Sequence, residues 1–433
     1  MQQTAPKKIT NGWAMYDWAN SVYNLVITTT FFPIYFLAVT NNTTDHKVRF
    51  LGREFVNSSL YDYILATSYL LIALSYPILT SIADTRGNKK NFMRFFCYMG
   101  AIGCSMLFFF KVDSLGLGVV AFMLAAMGYV GSLVFYNAYL PEIAAPQDQD
   151  RISARGYSFG YIGSVLMQIV GFVLVMTLDD QGLATRITFL IVGIWWFSFA
   201  QIAFAVLPNT SVKESKKGNI IKEGFGEIRK VYHQVKQMPV LKRFLRGFFF
   251  YSMGVQTVML AATIFGSKLL KLPDTNLIIT VVIIQLVAIL GAWSMSRLSA
   301  KYGNLKVLMG VILFWIIICF LAYYTAEIVK NGGNGENPFY GLAVLVGLVM
   351  GGIQALSRST YSKLMPETKD TASFFSYYDF TEKIAIVIGI FTFGYIEEVT
   401  GSMQNSVLSL VVFFVIGFGW LYAALHKSKK HQA

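Results

Sequence analysis

Residues 114–141 read SLGLGVVAFMLAAMGYVGSLVFYNAYLP, with no charged side chain from end to end. A helix crosses a bilayer core roughly 30 Å thick with about 20 apolar residues, so this stretch is long enough and apolar enough to span one. Ten more windows run uncharged for sixteen residues or longer: 18–44, 63–83, 95–110, 156–178, 187–212, 247–267, 275–296, 307–326, 337–357 and 399–426. A twelfth apolar stretch is interrupted by Asp379, Glu382 and Lys383. An ionisable group at the bilayer centre costs about 2.5–3.5 kcal/mol on insertion scales, and membrane proteins keep such groups mainly where a solute, ion or proton is handled. The chain therefore reads as an all-α membrane protein of twelve transmembrane helices, with helix 11 as the first place to look for function.

Charge distribution sets the expected topology. The net charge of +13 could suggest a nucleic-acid partner, but charged residues are only 14% of the chain and no helix carries a long basic face. With the N-terminus placed in the cytoplasm and the helices alternating, 27 of the 36 Lys and Arg residues fall on the inner side, 8 on the outer side, and Lys383 within the membrane. That asymmetry follows the positive-inside rule and predicts cytoplasmic termini for a protein of the cell membrane. The first apolar segment is too long for a cleaved signal and is expected to remain as an anchor. Cys97, Cys104 and Cys319 all lie in predicted helices, and the four histidines lie far apart, so neither an external disulfide nor a histidine metal site is expected.

The chain reads as two halves. Gly87-Asn88 follows the second apolar window and Gly303-Asn304 follows the eighth, each within a short basic connection. Pro141-Glu142 and Pro366-Glu367 repeat in the same sense. Six plus six helices with matching loops predict parallel repeats: a first bundle over 1–207, a cytoplasmic linker over 208–246 and a second bundle over 247–433. The linker contains the charged run Lys213 to Gly218 and an amphipathic helix expected near 220–237, lying at the inner surface.

These residues also carry a resemblance. Ala83-Asp84-Thr85-Arg86-Gly87-Asn88-Lys89-Lys90 resembles the helix 2–3 loop signature of the major facilitator superfamily. The resemblance implies that Asp84, Arg86 and Gly87 brace the inward gate. Thr80 stands where the signature usually opens with Gly. MYDWANSVYN at 15–24, with Gln354-Ala355-Leu356-Ser357-Arg358-Ser359, Pro366-Glu367 and Ser373-Phe374-Phe375-Ser376, is similar to the vacuole-effluxer-like branch, whose eukaryotic members are implicated in amino-acid efflux from vacuoles. The likeness spans the whole chain. It implies a major facilitator fold with helices 1, 4, 7 and 10 around a central cavity, to which this chain would contribute Tyr136 and Asn137, Tyr251 and Gln256, then Gln354, Ser357 and Arg358.

The candidate site residues have two readings each. Asp17, Asn20, Ser21, Asn24 and Thr28 recur at steps of three and four and form one polar stripe on helix 1. Such a stripe either fixes packing against neighbouring helices or lines a cavity that binds solute. On helix 11, Asp379 and Lys383 are four apart and are expected to pair, leaving Glu382 as the surplus charge. A carboxyl in a partly dry cavity can take a proton on one side and release it on the other as its solvation changes; the structural reading is a static charge network. Arg358 is expected as a brace or as a contact for an anionic solute. Glycines 128, 131, 156, 160, 163, 347, 351 and 352 are expected to let helices pack closely, and Trp195-Trp196 to face lipid.

A phosphate-binding loop, a zinc-ligand pair and a Gly-x-Ser-x-Gly turn are all absent from the sequence, so an enzyme is not expected. The expected function is secondary active transport of a small polar solute, an amino acid or similar, by alternating access, with protons as candidate partners. A membrane-embedded sensor or scaffold without transport is the alternative. No cofactor, metal or nucleic acid is expected, and a monomer in the lipid bilayer is.

Overall fold

A computed structural model describes residues 3–41, 47–86, 89–209 and 220–432. The described residues form a linker helix, taken up below, and twelve further long helices: α1 (Lys7–Val39), α2 (Asn57–Arg86), α3 (Lys89–Met106), α4 (Leu115–Ala138), α5 (Gln149–Thr177), α6 (Gln181–Val206), α7 (Pro239–Lys268), α8 (Asp274–Tyr302), α9 (Asn304–Lys330), α10 (Glu336–Leu364), α11 (Thr371–Thr400) and α12 (Met403–Gln432). Ten of these regions are long and apolar enough to cross a membrane by length and composition; α7 and α11 are the two outside that set. α11 carries Asp379, Glu382 and Lys383 along its length, and α7 starts earlier than its uncharged window, taking Lys242, Arg243 and Arg246 into its first turns. The surface has the distribution of a protein bathed in hydrocarbon. Leu74, Ile102, Val120, Ile317 and Phe391 are exposed while Asp17, Arg358 and Asp379 are buried, the reverse of a soluble domain.

The helix pairing repeats. In the first six helices, α1 packs on α5 and α6, α3 on α4 and α6, and α2 on α4. In the last six, α7 packs on α11 and α12, α9 on α10 and α12, and α8 on α10. Each pair maps onto its counterpart by adding six, the order that a parallel repeat produces. Contacts between the two sets obey the same exchange, with α2 against α11 and α5 against α8. Gly351 shows how closely helices approach: a Cβ there would lie 2.0 Å from the Ala288 carbonyl oxygen, so α8 and α10 meet backbone to backbone.

α1 is not a uniform helix. It is π-helical over Tyr23–Phe31. Thr29 and Thr30 both donate their hydroxyls to the Leu25 carbonyl, at 2.7 and 2.9 Å, and the Gln168 amide of α5 donates to the same oxygen at 3.0 Å. Pro33 follows, with no N–H to return to the preceding turn. Competing donors and a missing one together loosen the ladder over these residues. Between α1 and α2, strands β1 (Lys47–Phe50) and β2 (Arg53–Val56) form a hairpin. Its two turn residues, Leu51 and Gly52, have φ of 48° and 79°, the mirror-image turn that fits strand twist.

The linker helix spans Ile220–Gln237, buries Val231 and Val235, and packs on α2 and α11. Lys230 Nζ lies 3.0 Å from the Asp370 carboxylate. The charged run from 213 to 218 lies outside the described residues. Trp196 corrects an expectation: it is fully buried, and its ring occupies the space where a Cβ on Gly100 would come within 2.3 Å. The missing side chain on α3 makes an interior slot for α6, so the ring turns inward from lipid. The three cysteines are free and buried.

Candidate transport site

A cavity of about 130 Å³ lies between the two sets of helices. Its wall comes from α1 (Asp17, Ser21, Asn24), α4 (Tyr129, Asn137), α5 (Tyr157, Tyr161), α7 (Gln256), α10 (Gln354, Arg358) and α11 (Asp379, Glu382, Lys383), with Tyr69 from α2. Nine of the ten solute or proton candidates thus meet in one place, although they are drawn from five helices. Asn20 is the exception. It is fully buried outside the lining, with its side-chain oxygen accepting from the Ser21 hydroxyl at 3.4 Å.

Two charge clusters face each other there. In the first, the Asp17 carboxylate sits 3.3 Å from Arg358 and accepts the Tyr136 hydroxyl at 2.7 Å. Asp17 lies almost three turns into α1, because the helix begins at Lys7, so the carboxylate meets the arginine of α10 and not the helix N-terminus. In the second, Lys383 Nζ donates to Glu382 at 2.8 Å and stands over the Tyr69 ring. This corrects the expected pairing of Lys383 with Asp379. The longer glutamate can turn back to its neighbour's ammonium, while the short aspartate is drawn to α4, where Asn137 Nδ2 donates to its Oδ1 at 3.4 Å. The other Asp379 oxygen is buried with no hydrogen-bond partner among the described residues. Gln256 donates to the second Glu382 oxygen at 3.3 Å. The surplus carboxylate is therefore Asp379, not Glu382.

Toward the end of the bundle that holds Lys7 and the linker helix, which we term the base, two polar clusters join the halves. Asp84, at the end of α2, accepts from the Ser373 N–H and hydroxyl, both at 2.8 Å, and from the Ala372 N–H at 3.3 Å. These are orphan donors of the first turn of α11. Beside it, buried Lys89 bonds to Glu142 and, at 2.6 Å, to the Thr371 hydroxyl. On the opposite seam, Asp150 of α5 accepts from Lys363 at 2.6 Å, Asn304 at 2.7 Å and Ser299 at 2.8 Å. Of the gate candidates, Asp84 thus crosses between the halves; Gly87 and the Arg86 side chain lie outside what is described.

The sequence reading missed the tyrosines of the cavity and the Asp150 cluster. Tyr157 and Tyr161, four apart on α5, were a legible facial pair; nothing local marked Tyr69 or Asp150.

The family described as "Vacuole effluxer Atg22 like" matches residues 5–433. The chain belongs to this family. An MFS-type transporter of Bacillus subtilis described as uncharacterized, YxiO, is 30% identical over 94% of this chain and 92% of its own. Autophagy-related protein 22 of Kluyveromyces lactis is 24% identical over 95% of this chain and 92% of its own. The human organic anion transporter MFSD10 shares the fold, with a TM-score of 0.75 at 12% identity, covering 96% of this chain and 100% of that one. A bacterial homologue of the iron transporter ferroportin, in an outward-facing state, gives a TM-score of 0.67 at 13% identity over 95% of this chain and 98% of that one. These likenesses establish the major facilitator fold. Membrane transport by a secondary transporter is the activity that Atg22-like membership carries.

Proposed function

We propose that this protein moves a small zwitterionic solute, an amino acid or similar, by alternating access of two bundles, 1–207 and 247–433, with proton coupling. The observation that carries the proposal is the charge count of the cavity wall. Three carboxylates (Asp17, Asp379, Glu382) face two cations (Arg358, Lys383), and one Asp379 oxygen is buried without a partner among the described residues. A buried uncompensated carboxylate is costly, so the site favours a solute ammonium or a proton beside Asp379. Lys383, bonded to one carboxylate, keeps donors for a solute carboxylate, and Asn24, Gln256 and Gln354 offer amides to orient it. Parallel halves hinged about such a midplane site are the geometry for rocking.

The bias of Lys and Arg supports cytoplasmic termini and residence in the cell membrane, and the linker segment 208–246 then lies on the cytoplasmic side. The site needs no second copy, which supports a working monomer. The test is transport by purified protein in proteoliposomes: labelled amino acids should accumulate under an imposed pH gradient and exchange without one. A protein that binds and moves no amino acid under either condition would count against the solute class.

A further inference from the structure

Arg358 belongs to the second set of helices, yet among the described residues every hydrogen bond its guanidinium makes goes to the first. Nε donates to the Ser153 hydroxyl and Nη2 to the Ser153 carbonyl, each at 2.9 Å. Nη1 reaches Asp17 at 3.3 Å and the Asn137 side-chain oxygen at 3.4 Å, and Nη2 also reaches Asp17 at 3.4 Å. A guanidinium has five N–H donors, so none is left for a solute. The rings of Trp13, Tyr136 and Tyr157 stand 4.8, 5.4 and 4.3 Å from its central carbon.

The socket is held together without the arginine. The Tyr136 hydroxyl fixes Asp17, the Trp13 indole donates to the Tyr136 carbonyl at 2.9 Å, and the two rings stack at 4.4 Å. Gly156 leaves the space: a Cβ there would fall 2.5 Å from the Asp17 carboxylate and 3.0 Å from Arg358 Nη2. An acid, a backbone carbonyl, a hydroxyl and three aromatic faces constitute a receptor for an organic cation. Asp17 and Tyr157 also line the central cavity, so a solute reaches the socket without leaving it.

We infer that this socket is a binding site for a guanidinium or primary ammonium group, filled by Arg358 in the state seen here and vacated when α10 parts from α1, α4 and α5. The cationic group of a solute and Arg358 then compete for one place. A buried Asp17 left alone among aromatic rings is unfavourable, so a cation that replaces the arginine stabilises the parted state and shifts the population toward it. This rests on the rocking motion proposed above, but its test does not require transport.

Arg358→Ala empties the socket, and methylguanidinium is the probe. We expect millimolar methylguanidinium to raise the melting temperature of detergent-purified Arg358→Ala protein by several degrees, to leave the parent protein unmoved, and to have no effect once Asp17→Asn is added. A cysteine placed at Ala154, buried beside the α8 and α10 seam, should be labelled by a membrane-impermeant maleimide several-fold faster in Arg358→Ala protein than in the parent, and methylguanidinium should raise that rate further; a slower rate with methylguanidinium would overturn the population shift. No thermal shift, or a shift equal in the protein lacking Asp17, overturns the site. If Arg358→Ala protein cannot be purified, Arg358→Lys retains charge but not the fork; labelling at the Ala154 position unchanged from the parent would then overturn the inference. Failure to move amino acids, with these results intact, would instead count against the transport proposal alone.

Discussion

Asp84 caps the first turn of α11 through Ser373, taking both its N–H and its hydroxyl at 2.8 Å. The two residues sit in opposite halves of the chain, so a helix cap here is also a clasp. A cap of this kind contributes about 0.5–2 kcal/mol. Under the rocking motion proposed above, breaking it would remove that amount from a closed base relative to a parted one; Asp150 with Lys363 joins the halves on the opposite seam.

Asp84→Ala should therefore shift the conformational equilibrium toward a base that is open, by roughly 2- to 30-fold from the cap energy alone. Ser373→Ala, which keeps the backbone N–H, should shift it less. Maleimide labelling of a cysteine at the Ala154 position measures both. Equal labelling in the parent and in Asp84→Ala protein would show that the cap does not hold the gate.

Asp379 is the carboxylate without a matching cation. Asp379→Asn should abolish accumulation driven by a pH gradient and leave solute exchange largely intact, since exchange needs binding but no net proton movement. Proteoliposomes assayed with and without the gradient separate the two. An Asp379→Asn protein that still concentrates solute would assign coupling elsewhere.

Glu382 holds Lys383 by charge, in a pair of which both members are mostly buried. Removing one partner of a buried pair costs about 3–5 kcal/mol, because the other charge is left uncompensated. Glu382→Gln should lower thermal stability, and adding Lys383→Met should recover much of the loss. If Lys383→Met gives no recovery, the two side chains do not form the energetic pair that the geometry describes.

Gly156 is the only residue type that fits its position. Gly156→Ala drives a methyl into the contact of Asp17 with Arg358, where the nearest atom would be 2.5 Å away. Overpacking of this kind typically costs about 1–3 kcal/mol. Melting temperature should fall, while Gly310→Ala, at a site with open space around it, should leave it nearly unchanged.

How much of this was legible follows from where each decision is made. Uncharged windows, basic loops and the amphipathic period of the linker segment are local properties. Hydrocarbon forces the backbone into helices whatever their neighbours do, so the membrane helices could be read along the chain, and the linker helix from its own amphipathic period. The polar stripe of α1 and the charges of α11 were legible for the same reason: expensive groups in an apolar window announce themselves. Their partners were not. Lys383 could reach Asp379 or Glu382 by spacing alone, and only the approach of α4, with Asn137, decides between them. Helix starts misled where charged residues extend a helix beyond its apolar window, as at Lys7 and Pro239.

Read along the chain alone, this protein is already a bundle of membrane helices, because the cost of polar groups in hydrocarbon acts residue by residue. Packing between helices sets the rest: Arg358 is enclosed by three helices of the opposite half, Trp196 turns inward toward Gly100, and Asp379 is the carboxylate left over. Each of these depends on which side chains meet across helices far apart in sequence, and short-range spacing carries no information about that meeting.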